Sequence, residues 1–319
     1  MSCGSHRREN ATSALFFQGW ETQRVVYSKP WKNARKIFQT LDNAAYAVQN
    51  MYLDFYQLKE APFNVTPDPR FLYFSARHRE AFDLLRFGIE QRKGFIVLTG
   101  EVGSGKTTLT RAVLASLPAN IRSALVLNPL VTATQLLRAI LRDLGLDAHS
   151  RDRLHLVGQL NEHLLKEASA GRNVVVFLDE AQDFAPEVLE HLRLLSNLET
   201  DQHKLMQLVL IGQPELKARL REPELRQLRQ RILVRCELRA LTAEEVGQYL
   251  AFRLQVAGAT DPWLFDEPAA RLVHRHAEGL PRMINALADH ALLAGYVARA
   301  PRVTKTEVER AIEDLGDWS

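Results

Sequence analysis

Residues 95–108 read FIVLTGEVGSGKTT and run straight into LTRAVLASL. A short apolar run closed by glycine reads as a buried strand, and the spacing after it reads as a helix. Gly100, Gly105, Lys106 and Thr107 fit G-x-x-x-x-G-K-[ST], with Gly103, Ser104 and Thr108 completing the loop. Glycines let backbone N–H groups converge on a phosphate, and the helix N-terminus adds partial positive charge. The loop therefore predicts a nucleoside triphosphate, ATP, with Lys106 reaching its β and γ oxygens and the Thr107 hydroxyl on Mg2+. A plain strand-to-helix turn gives the Lys-Thr pair no packing reason to be there.

Working outward, further buried runs stand at 123–128, 173–180 and 205–212, with helical patterns between them. Strands alternating with helices predict an α/β fold, a parallel sheet covered on both faces. VVVFLDE places Asp179 and Glu180 at a strand's C-terminal end, where ligands gather in such sheets. Asp179 is expected to hold Mg2+ and Glu180 to polarise the attacking water; the bland alternative is a solvated acid pair. Gln213, after LVLIG, offers an amide to the γ-phosphate or the water, or else caps its loop. Arg226, Arg229, Arg231 and Arg235 crowd one short segment. Most arginines in such runs are solvated, but a ring ATPase needs a guanidinium donated to a neighbour's γ-phosphate, and Arg231, then Arg229, are the candidates. AEGLPRM puts Gly279 at a helix end, Pro281 at the next N1 position and Arg282 in that first turn, from which it can reach back over the nucleotide.

The division expected is an extension at 1–50, an α/β core at 51–240 and an all-helical region at 241–319, where strands cease. Ser75 is the expected cap of a helix over about 76–91, and Thr242 with Glu245 has capping-box spacing. Pro62, Pro67 and Pro69 predict an extended segment before Ser75. Residues 1–50 lack sustained periodicity, and one hypothesis makes Met51 the natural start; N-terminal sequencing that found Ser2 would sink it. Apolar residues make up 46% and charged residues 25%, and no run reaches the roughly 18 apolar residues a membrane helix needs. With no secretory signal pattern, and with Cys3 and Cys236 in neither metal nor redox spacing, the expected location is cytoplasmic. Residues 1–50 carry seven Lys and Arg against three Asp and Glu, and the remainder carries 34 against 35, so the body is electrically balanced, which predicts no strong general grip on nucleic acid.

Taken together, GEVGSGKTT and VVVFLDE as Walker motifs, GQPEL as sensor 1, RQRI as arginine-finger region and GLPR as sensor 2 resemble the AAA+ ATPases. The resemblance implies a RecA-like P-loop core with a small helical lid. More narrowly, MYLDFYQLKEAPFNVTPDPRFLYFSARHREAF followed by GFIVLTGEVGSGKTT, LDEAQ and LVLIGQPEL resembles the ExeA/GspA family over residues 51 to about 316. That implies an ATPase, acting as a homo-oligomer, that powers assembly of an envelope secretion or type IV pilus-like machine through a membrane-anchored partner. Full-length members of the secretion branch continue into a transmembrane helix and a peptidoglycan-binding region. A chain ending at Ser319 is thus expected to be an ATPase-only form, similar to the pilus-biogenesis form MshM, or a fragment. TnsC/TniB-like transposition regulators are the alternative, with the arginine segment on DNA; the balanced charge and the opening motif speak against them. A replication initiator or loader would usually add a DNA-reading domain.

Overall fold

The computed structural model describes residues 52–64, 66, 68–127, 132–199 and 204–316. The expectations for residues 1–50, Met51, Pro67 and Cys3 lie outside the described residues. The opening strand is β1 (Phe95–Gly100), joined by β2 (Ile121–Val126), β3 (Asn173–Leu178), β4 (Met206–Gly212) and β5 (Ile232–Leu238). Every pairing is parallel, in the order β2-β3-β4-β1-β5.

Because side chains alternate across a strand, β1 and β3 feed two cores. Phe95, Val97, Val174 and Val176 face one, with α3 (Ala133–Asp143), α4 (Arg153–Ser169) and α5 (Pro186–Leu195) packed on it. Ile96, Leu98, Val175 and Phe177 face the other, under Leu85 and Ile89 of α1 (Ala76–Glu90) and Leu109 and Val113 of α2 (Lys106–Ser116). Ser75 caps α1 as expected.

Two features differ from the sequence expectation. Four strands were expected and the segment after Gln213 was read for its arginines, yet ILVRCEL forms a fifth strand against β1. It is an edge strand, with Ile232, Val234, Cys236 and Leu238 buried and Leu233, Arg235 and Glu237 exposed. One-sided burial replaces the continuous apolar run with alternation, so the charged positions hid it.

The second difference concerns residues 52–71, which were grouped with the sheet at 51–240. The short α6 (Glu215–Arg219) and α7 (Arg226–Arg231) lie between β4 and β5, and after β5 α8 (Ala243–Val256), α9 (Glu267–Ala277), α10 (Pro281–Val297) and α11 (Lys305–Leu315) build a helical layer. Tyr52, Tyr56, Phe63 and Phe71 pack into that layer's core with Val246, Leu254, Ile284 and Leu292. The join is polar as well as apolar. Buried Arg253 donates from Nε to the Pro62 carbonyl at 2.5 Å and from Nη2 to that of Asn64 at 3.2 Å. Among the described residues no helix is long and apolar enough to cross a membrane.

Candidate nucleotide site

At the C-terminal ends of β1, β4 and β3 lie, in spatial order, the glycine loop, Gln213 and the Asp179–Glu180 pair, because β4 separates the other two strands. The loop is held from within. Lys106, only 8% exposed, donates from Nζ to the carbonyls of Gly100 at 2.8 Å and Glu101 at 3.0 Å. Burial pulls its ammonium below the ordinary lysine range, while Glu180 and Asp179 act against that shift. A buried ammonium on two neutral carbonyls is poised for a stronger, anionic acceptor.

The loop is also held from outside. His78 of α1 places Nε2 3.1 Å from the Ser104 carbonyl and Nδ1 2.8 Å from Ser75 Oγ. A carbonyl only accepts, so Nε2 carries the proton and Nδ1 accepts from the serine hydroxyl. Burial lowers the ring's proton affinity, which keeps it neutral in that role. From the helical layer, the Arg282 backbone N–H donates to the Gly103 carbonyl at 3.2 Å. Gly103 has φ +77°, and a Cβ there would come within 2.6 Å of Arg282 Cβ, so only glycine allows this approach.

Across the cleft, Asp179 is 7% exposed, and the nearby Thr107 hydroxyl favours its ionised form. Burial pushes its carboxyl above the usual carboxylate range, with the Glu180 N–H at 2.9 Å opposing. Two adjacent oxygen donors, one a carboxylate short of positive charge, suit a hydrated Mg2+, which takes few protein ligands. Glu180 faces the cleft, and Gln213 Nε2 lies 3.3 Å from its Oε2.

The cleft so formed has a volume of about 360 Å3. It takes Gly103, Gly105, Lys106, Thr107 and Thr108 from the loop and Arg282 from α10. The Ser104 hydroxyl is instead buried beneath the loop, close to Gly100, so any contact from Ser104 would be through its backbone. Arg231 and Arg229 do not line the cleft of their own chain. Arg231 Nη1 donates to Ser196 Oγ at 2.8 Å and Asn197 Oδ1 at 2.5 Å, past the end of α5, and Arg229 Nη1 donates to the Arg221 carbonyl at 3.2 Å.

Several cleft residues escaped the sequence reading. His78 sits in a helix with no motif to flag it. Tyr249 of α8 donates to Asn285 Oδ1 of α10 at 2.6 Å and accepts from Arg253 Nη1 at 3.1 Å, and all three line the far end. Gln182, buried behind Glu180 rather than lining the cleft, was visible in LDEAQ, although nothing in its spacing assigned it a task.

The AAA domain family matches residues 89–220. General secretion pathway protein A of Aeromonas hydrophila is 45% identical over 275 residues, covering 84% of this chain and 50% of that protein, so the chain spans about half the length of the curated relative it matches. Among solved structures, the Aeropyrum pernix ORC2 protein in its ADPNP-ADP complexes has a TM-score of 0.61 at 19% identity, covering 80% of this chain and 72% of that one. Cdc6p of Pyrobaculum aerophilum has 0.61 at 17% identity over 80% and 70% of the two chains. The RuvB Holliday junction branch migration motor of Thermotoga maritima has 0.52 at 20% over 76% and 70%. Those identities speak for a shared fold alone. The glycine loop, the parallel sheet, the helical layer and the matched AAA domain give the chain a P-loop AAA+ fold, and over 84% of its length it is similar to a general secretion pathway protein A.

Proposed function

We propose that the chain binds Mg2+-ATP and hydrolyses it, and that turnover drives assembly of an envelope secretion or type IV pilus-like machine. The observation that carries the ATPase half is the meeting of three elements at one cleft: the loop with Lys106, the Glu180–Gln213 contact, and Arg282 from the helical layer. In this reading Lys106 exchanges its loop carbonyls for phosphate oxygens, Glu180 accepts a proton from the attacking water, and the Gln213 amide orients that water or the γ-phosphate. Mg2+, held by Thr107 and Asp179, would neutralise charge on the β and γ oxygens. Arg282 reports the γ-phosphate to the helical layer, and Arg231 or Arg229 serves the cleft of a neighbouring copy. Both arginines lie away from their own cleft, as a trans-acting group must.

The secretion half rests on the 45% identity to a protein named for the general secretion pathway. In this reading the protein works at the cytoplasmic face of a membrane, held there by an anchored partner. The test is ATP turnover with Mg2+, with and without duplex DNA at two salt concentrations. Lys106→Ala is expected to lose nucleotide binding. Glu180→Gln should keep it, with turnover reduced roughly 100-fold or more. Glu180→Gln turning over ATP at the parent rate would remove Glu180 from the mechanism. DNA stimulation that fades with salt would favour the transposition-regulator reading.

A further inference from the structure

A carboxylate that takes a proton from water works best in one orientation, and in this site the fixing comes from two positions downstream. Gln182, 8% exposed, uses every hydrogen-bonding group of its amide. Nε2 donates to Glu180 Oε2 at 2.8 Å and to Asp183 Oδ2 at 3.0 Å, and Oε1 accepts the Gln213 backbone N–H at 3.0 Å. The orientation of the amide is set by its partners, since carboxylates only accept and a backbone N–H only donates.

Gln213 Nε2 converges on the same Glu180 Oε2, at 3.3 Å, so two amides hold one oxygen and neither occupies Oε1. The ends of β3 and β4 are thereby tied through one side chain. The fit is close: a Cβ on Gly212 would lie 2.8 Å from Gln182 Oε1. From α6, the Arg219 guanidinium bonds the Gln182 carbonyl and fixes the backbone that carries the amide. Glu180 itself has φ 51° and ψ 40°, a left-handed conformation that a residue with a side chain keeps only where its surroundings impose it.

We propose that Gln182 is the positioning residue of this site: it clamps Glu180 by one carboxylate oxygen and joins that clamp to the Gly212–Gln213 end of β4. The orientation of Glu180 and the position of Gln213 are then set together, so a γ-phosphate that draws on Gln213 also acts on Glu180. The inference rests on the hydrolysis reading given above.

The test uses the full chain with Gln182→Met, which keeps the shape and removes the bonds, and Gln182→Glu, which keeps size and polarity but brings a second carboxylate to Glu180. In nucleotide-free Gln182→Met, amide exchange at Gln213 should accelerate about tenfold or more, because its acceptor is gone. With Mg2+-ATP, kcat should fall about 10- to 100-fold while affinity for a fluorescent ATP analogue stays within about twofold. In Gln182→Glu the carboxylate still accepts from the Gln213 N–H but cannot donate to Glu180, so kcat should fall as in Gln182→Met while Gln213 exchange stays near the parent rate, a split that loss of packing alone does not produce. Parent-like Gln213 exchange and kcat in Gln182→Met, or a kcat loss matched by equal loss of nucleotide affinity, would overturn the inference. A parent chain without turnover would instead sink the hydrolysis reading, and the exchange measurement would still decide whether the clamp exists.

Discussion

Asp179 is the residue at which stability and chemistry conflict most directly. Burial raises its carboxyl above the usual range, and the Glu180 N–H, Lys106 and the Thr107 hydroxyl offset only part of that. A group whose folded value is raised contributes stability below its unfolded value, and this is lost as pH rises through the folded value. At neutral pH the ionised side chain therefore works against the fold. Asp179→Asn is expected to raise the stability of the metal-free protein by on the order of 1 kcal/mol, about 2–4 °C in Tm, while abolishing Mg2+-dependent turnover. The stability gap should close as pH falls toward the carboxylate range. Calorimetry of both proteins across pH without Mg2+ checks this, and a lower Tm for the asparagine variant at neutral pH would contradict it. Sequence placed this carboxylate at a strand end. Its depth came from packing, since Thr107 and Lys106 approach it from the start of α2, the helix that follows β1, and β1 is not a neighbour of β3.

Elements were readable where a local rule sufficed. Thr242 accepts from the Glu245 N–H at 3.2 Å while Glu245 accepts from the Thr242 N–H at 3.0 Å, the reciprocal pair its spacing predicted. Thr242→Ala should cost about 1 kcal/mol in urea unfolding, and Thr242→Ser should recover most of it. Equal losses in the two variants would deny the cap its role. The three interior strands β1, β3 and β4 were legible because both faces are buried, which leaves uninterrupted apolar sequence, and β2, the other edge, was legible from the apolar run SALVL despite its partial exposure. β5 was not, because an edge strand buries one face and its arginine drew attention to charge. Its alternation was present in ILVRCEL and was the usable signal.

At the level of the whole molecule, the segment carrying PFNVTPDPRF connects the helical layer to the cleft. Arg253 sits over the rings of Phe71 at 4.9 Å and Tyr249 at 5.6 Å while bonding the Pro62 and Asn64 carbonyls. Arg253→Met keeps much of the apolar bulk but removes the donors, leaving two carbonyls and the Tyr249 hydroxyl short of a partner. The expected loss is about 1–3 kcal/mol, with weaker binding of a fluorescent ATP analogue because Arg253 and Tyr249 line the cleft. Unfolding and binding measured on the same variant test this coupling. Parent-like nucleotide affinity despite lost stability would separate the segment from the site.

Short-range order set much of what was legible in the sequence. The glycine loop, the acid pair, Gln213 and the helix caps each depend on spacings of a few residues, and local chain geometry holds such groups together in any fold that forms the strand or helix. Long-range order settled the rest. His78 and Ser104 are 26 residues apart, Arg231 and Ser196 are 35 apart, and Arg253 and Pro62 are 191 apart. Which partner a buried polar group meets at such separations follows from how strands are ordered and where a distant segment crosses them. That is why Lys106 announced itself in the sequence, while Gln182, His78 and Arg253 became functional candidates only once the chain was folded around them.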